Sequence, residues 1–150
     1  MLALVALAAA GWLVYAQWWG QGDAHELAWQ NLNPRLGRVE FTRKVTAVYH
    51  SRAPLTRLLE ATMPGRAPEP PPVDFGRREV VVVSVGPRSS TGYSLRVQRV
   101  VERRRGIYVY LRELTPSLGD PVEPRVTYPY RAIAIAHSSK PIYVKLQGRP

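Results

Sequence analysis

The chain has no cysteine. That absence excludes disulfides, thiolate zinc fingers, thiol catalysis and lipid attachment through an N-terminal cysteine. Histidine is scarce, with only His25, His50 and His137. Hydrolytic chemistry needs a base within reach of a nucleophile. His137 precedes Ser138-Ser139, but adjacent residues on a strand point different ways, and no Gly-x-Ser-x-Gly elbow is present. Asp23, His25 and Glu26 match no familiar metal-ligand spacing. The reading is therefore of a chain without catalytic residues, metal or cofactor. Acidic residues are also in the minority, 11 against 21 basic ones, for a formal charge of +10. Almost all the positive charge is arginine, since Lys44, Lys140 and Lys145 are the only lysines. An arginine-rich surface suits an anionic partner through bidentate pairing and stacking. Abundant Arg beside Ala, Pro and Leu is equally a compositional bias.

What is present falls into three parts. Leu2 to Trp19 is an apolar run interrupted by Gln17. As a helix it would reach roughly 27 Å, close to the thickness of a bilayer core. Trp12, Tyr15, Trp18 and Trp19 gather toward its C-terminal half, as interfacial aromatics do. Residues 1–20 are expected to be a signal anchor, with a cleaved signal peptide as the alternative, because Val14-Tyr15-Ala16 resembles a cleavage site. Residues 21–37 are polar and turn-rich and read as a linker, with room for a short strand at Glu26 to Leu32.

Residues 38–150 read as one mainly β domain. Val39, Phe41, Val45, Ala47 and Tyr49 alternate with polar residues and predict a strand. Ser51 as N-cap and Pro54 in the first turn start a short helix, with Leu55, Leu58, Leu59 and Met63 on one face and Pro64-Gly65 as its stop. Arg66 to Pro72 is a proline-rich spacer. The continuous run Val80 to Val83 predicts a central strand buried on both faces. Alternating segments follow at 95–98, 107–112, 130–135 and 142–146. The expectation is a small antiparallel sheet or sandwich-like domain of five to six strands with one short helix, preceded by an N-terminal hydrophobic helix.

The segment Gly86-Pro-Arg-Ser-Ser-Thr-Gly-Tyr93 lies between two of these strands. A phosphate loop is excluded there: the glycine spacing is wrong, the Lys-Ser/Thr pair is missing, and a strand follows instead of a helix. Taken with Val73-Asp74-Phe75 before it and Tyr128-Pro129-Tyr130 after it, this turn resembles the PrcB C-terminal family, named for a subunit of a secreted protease complex. The resemblance covers roughly residues 40 to 147. The family's turn commonly reads Thr-Gly-Gly-Tyr, and the first of those glycines is absent here. The resemblance implies a non-catalytic exported accessory domain that binds, and stabilises or regulates, an extracytoplasmic protease or protease complex.

Two groups of candidate partner-binding residues emerge. Arg88, Thr91, Gly92 and Tyr93 belong to the turn. Short Thr-Gly-Tyr loops also occur in chagasin-like inhibitors of cysteine proteases, so inhibition through 86–93 is an alternative. Tyr93 as a packed strand start is the plainer reading. Tyr108, Tyr110, Arg112 and Tyr143, with Lys145, would project from one sheet face if their strands are neighbours. Tyr and Arg are enriched at binding hot spots. The same face could instead be covered by the 51–63 helix or the N-terminal strand. It could also stack single-stranded nucleic acid, but export argues against that partner. A cell-envelope or anionic-surface module using the arginines remains a further alternative, and residues 1–20, if uncleaved, would add the membrane as a partner.

Overall fold

The computed structural model describes residues 24–63, 65 and 69–148. The expected anchor or signal peptide at 1–20 lies outside them. Among the described residues no helix is long and apolar enough to cross a membrane.

The described chain is mainly β. In order its elements are β1 (His25–Glu26), β2 (Trp29–Asn31), α1 (Asn33–Leu36), β3 (Lys44–Tyr49), α2 (Arg52–Thr62), β4 (Arg78–Val85), β5 (Ser94–Arg103), β6 (Gly106–Leu114), β7 (Tyr130–Ala136) and β8 (Ile142–Gln147). They form two sheets of four strands, ordered β2-β7-β4-β3 and β1-β5-β6-β8. We call these the central and the open sheet. All pairings are antiparallel except β6 with β8, which run parallel.

The period of two in each strand decides the packing. On β4, Val81, Val83 and Val85 face the open sheet and meet Leu95, Val97, Val100, Ile107, Val109 and Leu111. Val80 and Val82 face the other way and meet Leu55 and Leu59 of α2 together with Leu32, Leu36, Val39, Phe41 and Val73. The central sheet is therefore covered on both sides, which is why Val80 to Val83 is apolar without alternation. Each fully buried Val or Leu contributes about 1.5–3 kcal/mol of transfer free energy. Helix α2 starts where Ser51, in extended conformation, hands over to Arg52, and it ends before Pro64.

Two local expectations change. The strand expected over 38–49 forms only from Lys44, because Val39 and Phe41 turn into the core under the central sheet instead of pairing. Over its described part, the segment expected as a linker contributes β1, β2 and α1. Leu32 and Leu36 are buried there, and Asn33 ties the segment to β7, donating Nδ2–H to the Tyr130 carbonyl and accepting from the Ala132 amide. These strands of two and three residues are too short to show a period. With them the strand count rises from the expected five to six to eight.

Candidate functional site

The open sheet has one face against the core and one face outward. Strands β6 and β8 lie side by side, with Tyr108 opposite Tyr143 and Tyr110 opposite Lys145. On the other side of β6, Arg112 pairs with Arg96 and Tyr110 with Arg99. Tyr108, Tyr110, Arg112 and Tyr143 are thus brought together on one outward face. None of them belongs to either core cluster of the described residues, since α2 packs on the central sheet and not here.

The face is ordered by its own contacts. The Tyr108 and Tyr143 rings stack at 5.2 Å, and Tyr108 and Tyr110 at 6.4 Å. The Arg99 guanidinium lies 4.7 Å from the Tyr110 ring centroid, and that of Arg103 lies 5.4 Å from Tyr108. Each aromatic pair is worth about 0.5–1.5 kcal/mol beyond burial, and each exposed cation–π contact about 0.5–1 kcal/mol. Tyr143 is still 42% exposed. The result is a prearranged row of aromatic rings and guanidinium groups facing solvent.

Arg103, in the basic run Arg103-Arg104-Arg105 before Gly106, reads from sequence as solvated charge at a turn tip. Alternation alone does not place Arg99 on this face, because a β-bulge lies between Val97 and Arg99. Counting alternately from Arg96 would put Arg99 inward, but the extra residue, Gln98, restores it to the outer face. Gly106 also matters for the face. A Cβ there would lie 2.6 Å from the Pro141 carbonyl oxygen and 2.7 Å from the Tyr143 ring. Only glycine lets the Tyr143 ring lie against the start of β6.

Arg88, Thr91, Gly92 and Tyr93 lie together in the turn between β4 and β5, and they are not part of the tyrosine row. The turn does not project freely. Arg88 and Thr127 exchange backbone hydrogen bonds of 2.8 and 2.9 Å. The Thr91 amide donates to the Glu123 carbonyl, and the Glu123 amide donates back to Thr91 Oγ1 at 2.9 Å. Gly92, at φ +92°, sits so close to Pro116 that an added Cβ would approach it to 2.9 Å. Arg88 donates to Glu113 at 2.6 Å and to the Val85 carbonyl. The hydrogen bond to Glu113, opposed by partial burial, raises the Arg88 pKa above its ordinary value. Tyr93 is half-buried, with the same guanidinium 5.9 Å from its ring. Segment 115–128 therefore clamps the turn and uses the Thr91 hydroxyl.

At the two ends of the inter-sheet core lie two charged residues. Arg131 donates to the Leu95 carbonyl, at 2.9 Å from Nε, and to Asn31. Its burial lowers its pKa below the ordinary guanidinium value. At the other end is Glu79, fully buried, with His50 and His137 beside it.

Residues 80–136 match the PrcB C-terminal family. The match runs from β4 through β7 and includes the clamped turn, Gly106 and the β6 tyrosines. It is narrower than the span of roughly 40 to 147 suggested by the sequence resemblance, leaving β3, α2 and β8 outside. No curated protein and no solved structure matches the chain. The family points to a domain related to a protease complex subunit.

Proposed function

We propose that the chain is a non-catalytic, exported accessory domain that binds an extracytoplasmic protease, or the complex containing it, through the outer face of the open sheet. Residues 1–20 would carry it across or hold it at the membrane, by the apolar length read from the sequence. The observation that carries the proposal is the row of Tyr108, Tyr110 and Tyr143 interleaved with Arg99, Arg103 and Arg112, which no other described element covers. Rigid aromatic rings and guanidinium groups supply contact area at low ordering cost, as binding hot spots require. The family match supports a protease-complex context for that surface.

Inhibition through residues 86–93 is the competing reading. It is disfavoured because the amide and the hydroxyl oxygen of Thr91 are already committed to Glu123 within the domain.

The test is affinity purification from envelope extract of the intact chain and two variants. The pair Tyr108→Ala with Tyr110→Ala should lose the co-purifying protease, and Thr91→Ala should keep it. Loss with Thr91→Ala alone, together with inhibition of the recovered protease, would support the inhibitor instead.

A further inference from the structure

Glu79 occupies an inward position of β4, in step with Val81, Val83 and Val85. An ionised carboxylate among valines is costly unless something compensates it. Arg131, at the opposite end of the same interface, has its hydrogen bonds made. Glu79 does not: both oxygens are buried without a hydrogen-bond partner.

Two imidazoles converge on it. His50 directly follows β3 and His137 directly follows β7, the two strands that flank β4. Tyr49 pairs with Val80, so the next residue, His50, comes level with Glu79. Ile135 pairs with Glu79, and His137 lies two residues on, on the same face. The His137 backbone is fixed there by its amide hydrogen bond to the Arg77 carbonyl at 2.9 Å. His50 Nδ1 lies 2.8 Å from Glu79 Oε2, and His137 Nδ1 lies 3.8 Å from the same oxygen. The approach is close, but it is not aligned as a hydrogen bond. The three donor atoms all lie within 4.8 Å of one another, and the rings stand at 90°.

We infer that His50, Glu79 and His137 form a binding site for a divalent late first-row transition ion, with zinc as its simplest occupant. Two imidazole nitrogens and one carboxylate are a recurrent zinc donor set. Tetrahedral zinc with ligand bonds of about 2.0–2.2 Å places its ligand atoms roughly 3.3 Å apart. The separations of 2.8 and 3.8 Å bracket that value. The ion would neutralise the buried carboxylate and cross-link the ends of β3, β4 and β7. A cavity of about 340 Å³ beside His50, lined also by Ser138, Ser139, Lys140 and Pro141, lets solvent reach that side of the cluster. Both imidazoles are more than half exposed, at 63% and 51%, so the ion can enter from solvent.

The experiment is zinc titration of the intact, EDTA-treated chain, read by calorimetry and by thermal melting. One zinc per chain is expected, with a melting temperature raised by roughly 5 °C or more at saturating zinc and returned by EDTA. Glu79→Gln and His137→Gln should each weaken zinc binding by about tenfold or more, and His25→Gln should not. Because His137 is exposed, His137→Gln reports on binding even if Glu79→Gln fails to fold. Absence of zinc binding, or equal affinity in His137→Gln, would overturn the site.

Discussion

Tyr108 on β6 and Tyr143 on β8 stack at 5.2 Å across a parallel strand pair, and Gly106 leaves the space in which the Tyr143 ring lies. The stack depends on backbone approach as much as on the rings themselves. Gly106→Ala would push a methyl group into the Pro141 carbonyl and the Tyr143 ring. It should destabilise the domain by about 1–3 kcal/mol, as overpacking does. It should also weaken partner binding beyond that loss, because the ring row is displaced. Tyr143→Ala removes the stack and should cost about 0.5–1.5 kcal/mol of stability, while weakening binding by more than that loss. Denaturant unfolding and affinity measured on both variants check this pair of outcomes.

The clamped turn makes a separate prediction. Gly92 adopts φ +92° against Pro116. Gly92→Ala combines backbone strain with a steric clash and should cost about 2 kcal/mol of stability. If segment 115–128 is the clamp, hydrogen exchange at the Thr91 and Glu123 amides should accelerate together in that variant. Unchanged exchange at Glu123 would separate the two segments.

The N-terminal edge strands belong to the fold. A chain beginning at residue 24 should melt cooperatively. One beginning at Arg38 loses β1, β2, α1 and the buried Leu32 and Leu36. It should be less stable by about 4 kcal/mol or more, the scale of two deleted core leucines. Equal stability of the two truncations would show that residues 24–37 only rest on the surface.

Tyr130 sets an alkaline limit. Its hydroxyl donates to the Gly37 carbonyl at 2.8 Å, and its ring packs 5.4 Å from Phe41. Burial, partly offset by the charge of Arg131, raises its pKa from 10.0 to about 12. The unfolded chain therefore releases this proton first. The contribution to stability is full below pH 10.0 and is lost as pH rises toward about 12. Tyr130→Phe should be less stable at neutral pH by about 1 kcal/mol, the scale of one hydrogen bond. It should also show a shallower fall in stability across that alkaline window. Urea titrations at several pH values measure both effects.

Sequence patterning reached the elements that repeat. The helix at Arg52–Thr62 was legible from its cap and leucine spacing, and β4 from its unbroken valines. The shared face of Tyr108, Tyr110 and Tyr143 followed from alternation once β6 and β8 proved to be neighbours. Three features had no periodic trace. The Gln98 bulge reverses the parity that hides Arg99. The clamp on the 86–93 turn comes from a segment more than 20 residues away in sequence. Glu79 did leave a signal, a charge in step with inward valines. Its partners, His50 and His137, each lie one residue beyond a strand, so only the sheet order brings them together.

The most direct measurement of the proposed binding face is site-specific photocrosslinking in the producing cell's envelope. A photoreactive residue at Tyr110 samples the outer face of the open sheet, and one at Ser89 samples the exposed tip of the clamped turn. The expected result is crosslinking from Tyr110 to a protease or a subunit of its complex, and none from Ser89. Crosslinking of a protease from Ser89 with none from Tyr110 would contradict it.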